Sequence, residues 1–470
     1  MMQLMEKYLD TIELTDPIKF TGKVIGVKGL LIESAGPVAV IGELCKIYIP
    51  RYQKYIFAEV VGLQNKIVQL MTFEATDGLE IGCPVIASGE MLSVPVSEKL
   101  LGRVLDCRGK PIDGKGDISS AIRYSAQGSA PNALERKRIT KRMVTGIKAI
   151  DALLPVGKGQ RIGIFAGSGV GKSTLLGMIA RNTLADINVI ALIGERGREV
   201  REFIENDLGK EGLERSVIIV STSDNLPLAR LKGAYVAMSV AEYFRDQGAD
   251  VMLLFDSVTR FARAQREIGL SIGEPPTTRG YTPSVFDTLP KLLERAGTSE
   301  KGSITGFFTI LVDGDDMDEP ISDAVRGILD GHFVLTRKLA ERYQYPAIDV
   351  LKSITRLVTS VTGPQTQKAI GIVRRYMAVY EEAEDMIAIG AYVKGSNPEI
   401  DTAIEKRPKI LALLQQQITE KIPFGETIKA LGSLAGIEIP HSELEQFMDQ
   451  TTAFDTAKML ERRDKGKTDL

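Results

Sequence analysis

The chain has 470 residues, which is too long for a single hydrophobic core and predicts two to four domains. Hydrophobic side chains make up 44% of the sequence and charged side chains 26%, so wholesale disorder and the collagen-like and coiled-coil classes are excluded. The 59 basic and 61 acidic side chains leave a net charge of -2, so no global positive field recruits nucleic acid or an anionic membrane.

Histidine and cysteine are scarce, which limits the available chemistry. Only His332 and His441 are present, so we expect neither a His-rich zinc cluster nor a His-centred nucleophilic triad. Cys45, Cys83 and Cys107 form no Cys-x-x-Cys pair and are predicted to be reduced, mostly buried thiols of a cytosolic protein. The chemistry must therefore come from carboxylates, lysine, arginine, backbone amides or a bound ion.

Residues 1–17 are predicted to form a short N-terminal helical segment. Its apolar side chains recur at helical spacing and are Leu4, Met5, Tyr8, Leu9 and Ile12. This stripe would either pack on the chain's own body or dock a partner. Acidic residues inside the apolar pattern exclude a secretory signal. No apolar run reaches the roughly 20 residues that span a bilayer, so any membrane association is expected to be peripheral.

Residues 18–89 are predicted to form a small β domain. Its short β-rich runs, separated by glycine and proline, include Lys23–Val27, Val38–Ile41 and Lys66–Leu70. Such a pattern is typical of a small barrel or a sandwich, and we expect no chemistry in this domain.

Residues 90–364 alternate strongly apolar strands with amphipathic helices. The predicted strands are Arg161–Phe165, Ile187–Ile193, Val217–Ser221, Val251–Phe255 and Ile304–Val312. Near-continuous apolar strands between helices are typical of a parallel sheet that is covered on both faces, which predicts an α/β domain. Residues 365–470 are predicted to be helical, with helices over Ala369–Ile387 and over Pro408–Ile418, the second with Pro408 in its first turn.

A glycine-rich loop, Ala166-Gly-Ser-Gly-Val-Gly-Lys-Ser-Thr174, lies between a predicted strand and the helical run Leu175–Asn182. The residues predicted to contact a nucleotide are Gly167, Ser168, Gly169, Val170, Gly171, Lys172, Ser173 and Thr174. The glycines let successive backbone N–H groups surround the β-phosphate. Lys172 would reach the β/γ oxygens, and the Ser173 hydroxyl would bind Mg²⁺. The loop therefore predicts a P-loop, although Ala166 occupies the position of the usual first glycine.

Asp256 follows the predicted strand Val251–Phe255, where a carboxylate can hold Mg²⁺ through a water beside the Ser173 hydroxyl. Arg260 comes one helical turn later and would bind the γ-phosphate if this segment is helical. Arg356 follows a strand-like stretch and is a candidate arginine finger, with an ordinary surface arginine as the alternative.

Glu195 follows the predicted strand Ile187–Ile193, which we expect to lie beside the P-loop strand. A carboxylate at that edge can activate a water for in-line attack on the γ-phosphorus, so Glu195 is the predicted catalytic base. The alternative is a structural ion-pair network of Glu195, Arg196 and Glu199.

Several motifs together resemble those of a known family. They are Ala166–Thr174, Gly194–Val200, Asp256–Gln265, Tyr345–Asp349 and Ser353–Arg356. They are similar to motifs in the catalytic subunits of rotary F-type and V-type ATPases, and within that group to the type III protein export ATPases. Gly273–Phe286 and Asp313–Pro320 resemble the flagellar branch. The likeness covers about residues 18–435 and implies a RecA-like P-loop NTPase core with an N-terminal small β-barrel and a C-terminal helical domain.

The resemblance also implies a role for each matching residue. The residues that it assigns to phosphates, Mg²⁺ and the attacking water are Lys172, Ser173, Asp256, Glu195 and Arg260. Arg356 would enter the site of the neighbouring subunit as the arginine finger. Tyr345 would stack on adenine, and Phe424 is a second candidate for contacting adenine.

A finger supplied by a neighbour implies a homohexamer, because one kind of chain supplies both the site and the finger. The further partners implied are a regulatory stator-type protein at residues 1–17, a central stalk protein, export-gate membrane proteins and chaperone–cargo complexes, with no nucleic acid. The implied location is cytoplasmic, peripheral at the inner face of the cell membrane. Val393–Asp401 replaces the acidic rotor-contacting loop of proton-driven synthases, which argues against an ATP synthase subunit.

The main functional hypothesis is therefore ATP hydrolysis that energises export of flagellar proteins, with an injectisome ATPase as the alternative. An RNA-translocating ATPase of the transcription-termination type is a more distant alternative, because residues 18–89 have few aromatics and no RNA-stacking motif. The densest basic run, Arg136–Arg142, is interpreted as a solvated loop or subunit contact rather than as an anion or nucleic-acid site. A non-catalytic ring subunit would typically lack the acid at Glu195.

Overall fold

A computed structural model of the chain describes residues 21–312 and 317–448. The predicted N-terminal helix and residues Asp313–Asp316 of the motif Asp313–Pro320 lie outside the described residues. The chain divides into two compact units. Of the described residues, the first unit contains 21–92 together with 225–229 and 267–275, and the second contains the others.

Six antiparallel strands form a closed barrel in the first unit. They are β1 (Thr21–Lys28), β2 (Leu31–Ala35), β3 (Glu43–Ile49), β4 (Lys54–Gln64), β5 (Ile67–Thr72) and β6 (Pro84–Met91). β1 pairs with both β2 and β6, and these two pairings close the barrel. Alternate residues of β3, namely Cys45, Ile47 and Ile49, are fully buried in the barrel core. This architecture selects the barrel over the sandwich.

The strand predicted at Val38–Ile41 is wrong. These residues form the loop between β2 and β3, and the Val38 side chain is 85% exposed. The Glu43 carboxylate accepts a hydrogen bond from the Val40 backbone N–H at 3.0 Å. This N–H therefore has a partner without pairing to a neighbouring strand. Gly42 follows with a φ of +90°, which turns the chain into β3. Apolar residues in a row gave the strand pattern without the burial that a strand requires.

Thirteen further strands lie in the described part of the second unit. They are β7 (Ser93–Pro95), β8 (Arg103–Leu105), β9 (Arg123–Ser125), β10 (Arg142–Met143), β11 (Val156–Gly157), β12 (Arg161–Ala166), β13 (Ile187–Ile193), β14 (Ser216–Ser221), β15 (Asp250–Asp256), β16 (Gly297–Thr298), β17 (Ser303–Leu311), β18 (Gly331–Leu335) and β19 (Ile348–Thr355). The main sheet has the order β19-β18-β12-β17-β15-β13-β14-β8, with β16 paired to β17. It is parallel from β18 to β8, and β19 is antiparallel at the edge.

The five strands predicted for this domain are confirmed to within one residue at each end. Every residue of β13 is buried, as expected for a strand covered on both faces. The expectation that β13 lies beside the P-loop strand is wrong, because β15 and β17 separate it from β12. Sequence order does not reveal this, since parallel strands are joined by crossovers that can skip positions in the sheet.

The helices of the described residues are α1 (Lys148–Leu153), α2 (Lys172–Asn182), α3 (Gly197–Glu202), α4 (Gly209–Glu214), α5 (Pro227–Asp246), α6 (Val258–Ser271), α7 (Pro283–Leu293), α8 (Pro320–Ile328), α9 (Arg337–Glu341), α10 (Val358–Val361), α11 (Pro364–Ala388), α12 (Pro398–Leu414), α13 (Phe424–Ala435) and α14 (His441–Phe447). A π-helical turn, Phe203–Leu208, joins α3 to α4. Over residues 21–312 and 317–448, no helix has the length and apolar character needed to cross a bilayer. The three cysteines are free and buried, as predicted.

The helix predicted over Pro408–Ile418 is wrong at both ends. The helix begins ten residues earlier, at Pro398, where the Asn397 side chain caps it by accepting from the Glu399 N–H at 2.9 Å. Pro408 therefore lies inside α12, and the helix ends at Leu414. The predicted helix Ala369–Ile387 is confirmed within α11. Buried side chains of α11, α12 and α13 belong to the same hydrophobic core as those of β12, so the helical region is packed on the α/β domain.

Candidate functional site

The glycine-rich loop joins β12 to α2 at the carboxyl edge of the parallel sheet. β12 ends at Ala166, and α2 begins at Lys172 with Gly171 as its N-cap. Gly171 has a φ of +88°, which strains any other residue, and a Cβ there would lie 3.5 Å from the Tyr345 ring. The N-terminus of α2 thus faces the loop, the arrangement by which P-loops bind phosphate.

Lys172 contacts two carboxylates beside this loop. Its Nζ donates to Asp256 Oδ1 and lies 3.5 Å from Glu195 Oε1. The Thr309 hydroxyl, on β17, also donates to Asp256 Oδ1, at 2.7 Å. The exposed fractions of the Lys172, Glu195 and Asp256 side chains are only 11%, 10% and 3%. The loop, β15 and the turn after β13 therefore bring one cation and two anions together in a buried cluster.

Arg260 reaches Glu195 from the first turn of α6. Its Nε lies 3.4 Å from Glu195 Oε1, and its Nη2 lies 3.5 Å from Oε2. Gly194 permits this approach, because a Cβ at that position would lie 2.7 Å from Arg260 Cδ. The turn after β13 therefore orients a carboxylate between the lysine of the P-loop and an arginine.

Burial raises the pKa of Glu195 above its ordinary value of 4.5, and the nearby Asp256 charge raises it further. The positive charges of Lys172 and Arg260 lower this pKa, whereas a hydrogen bond with Glu199 raises it. Glu199 also pairs with the exposed Arg196 at 3.1 Å. Of the alternative network, only the Arg196–Glu199 ion pair is seen among the described residues, whereas the Glu195 carboxylate pairs with Lys172 and Arg260 in the buried cluster.

A cavity of about 900 Å³ opens beside the P-loop, large enough for a nucleotide. Its walls come from Gly169, Gly171 and the first two turns of α2, from the Tyr343–Pro346 segment and from residues 415–420. The Tyr345 side chain is 41% exposed and faces Gly171. The structure therefore brings the predicted aromatic residue Tyr345 to the same cavity as the P-loop.

Phe424 is not among the described residues that line this cavity. It begins α13, and its ring centroid lies 4.7 Å from the guanidinium carbon of Arg142. Arg142 is buried and donates to the Asp151 carbonyl oxygen, so the basic run Arg136–Arg142 is only partly a solvated loop. Arg136 similarly donates to the Ala296 carbonyl oxygen at 3.0 Å. Both arginines hold neighbouring backbone in place.

Arg356 is exposed and follows β19 at the edge of the sheet. Its backbone N–H donates to the Asp330 carbonyl oxygen at 3.1 Å. Arg356 is also absent from the described residues that line the cavity, so the structure does not bring it to the chain's own P-loop.

Two features of the site were missed by sequence reasoning. Thr309 contacts Asp256, and a polar residue within the buried strand β17 was the available signal. The loop of residues 415–420 forms a cavity wall, whereas the sequence predicts a helix over most of it. The three successive glutamines, Gln415–Gln417, were the available signal there.

Comparisons with known proteins cover almost the whole chain. The nucleotide-binding domain of the ATP synthase alpha/beta family matches residues 146–355, and the beta-barrel domain of that family matches residues 24–89. The T3SS EscN ATPase C-terminal domain matches residues 362–433. The barrel, the P-loop core and the helical region therefore each correspond to a known family domain.

The chain is 58% identical to the flagellum-specific ATP synthase of Treponema pallidum, over 93% of this chain and 98% of that protein. It is 55% identical to the flagellum-specific ATP synthase of Bacillus subtilis, over 92% and 99%. A type 3 secretion system ATPase of Xanthomonas euvesicatoria is 48% identical, over 88% and 93%. The solved structure of the assembled ATPase EscN from enteropathogenic E. coli has a TM-score of 0.83 and 44% identity, covering 88% of this chain and all of that one.

Fold, site and comparisons define an ATP hydrolase with a barrel, a RecA-like P-loop core and a helical C-terminal region, as predicted. The chain belongs to the ATP synthase alpha/beta family and, within it, to the flagellum-specific ATP synthases. The predicted resemblance to the flagellar type III export ATPases is thereby confirmed.

Proposed function

We propose that the chain hydrolyses ATP as a ring-forming ATPase and energises the export of flagellar proteins through the type III export apparatus. ATP hydrolysis is supported by a buried charged cluster beside the P-loop, which consists of Lys172, Glu195, Asp256 and Arg260. The flagellar assignment rests on identities of 58% and 55% to flagellum-specific relatives. The injectisome alternative rests on the 48% identity to a type 3 secretion system ATPase, which is lower than the identities to the flagellum-specific relatives.

The proposed chemistry is in-line attack of a water on the γ-phosphorus. The loop 167–174 would surround the phosphates, Lys172 would contact the β/γ oxygens, and Arg260 would contact the γ-phosphate. Glu195 would accept a proton from the water as its oxygen bonds to phosphorus and the bond to the ADP oxygen breaks. A raised pKa brings this carboxylate closer to the pH at which a general base works best.

Mg²⁺ fits the donors at this site. The described residues contain no group of three or more His, Cys, Asp or Glu side chains that could hold a metal unaided. Mg²⁺ in phosphoryl-transfer sites is typically held by one or two protein oxygens together with the substrate phosphates. The hydroxyl of Ser173 and the carboxylate of Asp256 are such oxygen donors. When bound, the ion neutralises charge on the β- and γ-phosphate oxygens.

Arg356 is proposed to act as the arginine finger of a neighbouring subunit in a homohexamer. Its exposure at the sheet edge, outside the chain's own cavity, supports action in trans. Arg356→Ala is expected to form rings whose turnover falls by about 10³–10⁵. Mixing this variant with Glu195→Gln should partly restore turnover, because mixed interfaces pair an intact acid with an intact finger. Mixed rings that stay as inactive as either variant alone would contradict the trans finger.

The ring itself is tested by the ATPase rate against protein concentration, with the mass measured in parallel. Specific activity should rise steeply where hexamers form, since each site is completed by a neighbour. A constant specific activity from a monomer would contradict shared sites. If magnesium–ATP is bound but never hydrolysed at any concentration, the enzyme proposal fails.

The proposed partners are a regulatory stator-type protein at residues 1–17, a central stalk protein, export-gate membrane proteins and chaperone–cargo complexes, with no nucleic acid. A solved relative, EscN, is assembled with its central stalk EscO, which supports a stalk partner here. The proposed location is the cytoplasm, at the inner face of the cell membrane. In the native bacterium, Glu195→Gln should abolish flagellar filaments. Intact filaments with loss of another secreted protein set would favour the injectisome alternative.

A further inference from the structure

We propose that Gln416 is a positioning residue. It fixes the wall of the nucleotide cavity against which the adenine base of ATP packs. It would thereby set the affinity for ATP without touching the phosphates. This inference rests on the proposed function, because the ligand concerned is ATP. We call residues 415–420, which form one side of the cavity, the base loop.

Gln416 is 5% exposed, and both its amide nitrogen and its amide oxygen have protein partners. Its Nε2 donates to the carbonyl oxygens of Gly146 at 2.9 Å and Glu420 at 3.0 Å. Its Oε1 accepts from the Lys148 backbone N–H at 2.8 Å. One side chain therefore ties the two ends of the base loop to each other and to the segment that leads into α1.

The Gln416 backbone makes the connection to the aromatic wall. Its N–H donates to the Tyr345 carbonyl oxygen at 2.9 Å. Tyr345 and the base loop face the cavity from two different segments of the chain, and Gln416 joins them directly. A change that frees Gln416 would therefore loosen both surfaces available to the base.

The base loop is also attached to the helix that carries the phosphate-binding residues. Arg181, in the last turn of α2, donates to the Ile418 carbonyl oxygen at 2.7 Å. Asn182 Nδ2 donates to the Glu420 carbonyl oxygen at 3.4 Å. α2 has 11 residues, about 16 Å, and begins at Lys172. The helix and Gln416 together set the spacing between the phosphate end and the base wall.

Gln416→Met keeps a similar side-chain volume but leaves the Lys148 backbone N–H and the Gly146 carbonyl oxygen without this partner. The Glu420 carbonyl oxygen keeps only the longer bond from Asn182 Nδ2. The base loop should shift to reach water, whereas the P-loop keeps its own contacts. We therefore expect the dissociation constant for ATP to rise about tenfold. Tripolyphosphate, which has no base, should bind within twofold of the wild-type affinity. A merely structural defect would weaken both ligands alike.

The chain offers a matched control in Gln160, which is also buried. Its Oε1 accepts from the Gly157 N–H at 2.9 Å, and its Nε2 donates to Asp330 O and Thr355 Oγ1 at 3.2 and 3.0 Å. Gln160→Met therefore breaks one accepted and two donated bonds away from the cavity. It should leave the binding of both ligands within twofold of wild type.

The experiment is isothermal titration calorimetry of the full chain and these variants with ATP and with tripolyphosphate, both in Mg²⁺. Selective loss of ATP binding in Gln416→Met supports the inference. Equal loss of both ligands, or no loss of either, overturns it. If Gln416→Met does not fold, Arg181→Met carries the test, with about threefold weaker ATP binding and unchanged tripolyphosphate binding expected. A wild-type chain that binds neither ligand would instead contradict the proposed function.

Discussion

The two ends of the proposed nucleotide site are built by different means. The phosphate end uses charged side chains in a buried cluster, with Lys172 between Glu195 and Asp256. The base end uses an exposed aromatic ring, Tyr345, and a loop in which the Gln416 side chain holds the Glu420 carbonyl oxygen. Side-chain charge thus controls the chemical end, while loop shape controls the binding end. Substitutions at the two ends should therefore separate turnover from affinity.

The largest separation is expected for Glu195→Gln. An amide cannot accept the proton of the attacking water, so the turnover number should fall about 10³-fold. The dissociation constant for ATP should change less than threefold, because Lys172 and the loop are untouched. Steady-state kinetics and calorimetry measure the two quantities. Glu202→Gln, at an exposed position on α3, is the control and should keep normal turnover. Hydrolysis near the wild-type rate in Glu195→Gln would remove Glu195 from its role.

The same difference explains how far the sequence could predict the site. The phosphate end depends on residue types at strand ends, so Lys172, Ser173, Asp256 and Glu195 could be selected before their contacts were known. The order of strands in the sheet could not be predicted, because β12 and β13 are separated by two strands that come later in the chain. The position of the base loop depends on where α12 ends, and Pro408 predicts a helix start although it lies within the helix. Its hydrogen bonds to α2 and Gly146 join residues more than 230 positions apart, which no local pattern reports.

The pH dependence of kcat/KM tests the electrostatics of the phosphate end. Glu195 acts as a base only when it is ionised, and its pKa is raised in the folded protein. Activity should therefore be lost as the pH falls through a value above 4.5, tenfold per pH unit below it. The profile is measured at a constant concentration of the magnesium–ATP complex.

Arg260→Gln supplies the control for that profile. The positive charge of Arg260 lowers the pKa of Glu195, so its removal should move the acidic limb to higher pH. The variant will also turn over more slowly, but the position of the limb does not depend on the maximal rate. An acidic limb at or below pH 4.5, or one that Arg260→Gln does not move, would contradict the assignment of Glu195 as the general base.

At the base end, Tyr345→Ala should weaken ATP binding about tenfold, since stacking of a base on an aromatic ring contributes about 1–3 kcal/mol. The turnover number at saturating ATP should stay within threefold, because the buried charged cluster is unchanged. Calorimetry gives the dissociation constant, and steady-state kinetics give the turnover number. Tyr345→Phe keeps the ring and should bind ATP within twofold of wild type. A fall in turnover with unchanged affinity in Tyr345→Ala would break the division between the two ends.

The smallest effect on affinity is expected at Phe424. Its ring packs against the buried Arg142 guanidinium and does not line the cavity. Phe424→Leu should therefore leave the KM for ATP within twofold of wild type. Loss of the cation–π contact should lower the free energy of unfolding by about 1 kcal/mol, measured by denaturant unfolding.

Phe424 and Tyr345 thus form a pair of aromatic substitutions with opposite expected outcomes. Tyr345→Ala should change affinity with little change in stability, because Tyr345 is 41% exposed, whereas Phe424→Leu should change stability alone. A tenfold higher KM for Phe424→Leu would mean that α13 moves its first residue to the base when nucleotide binds. The base end would then be formed by the nucleotide, while the phosphate end is already assembled by its buried charges.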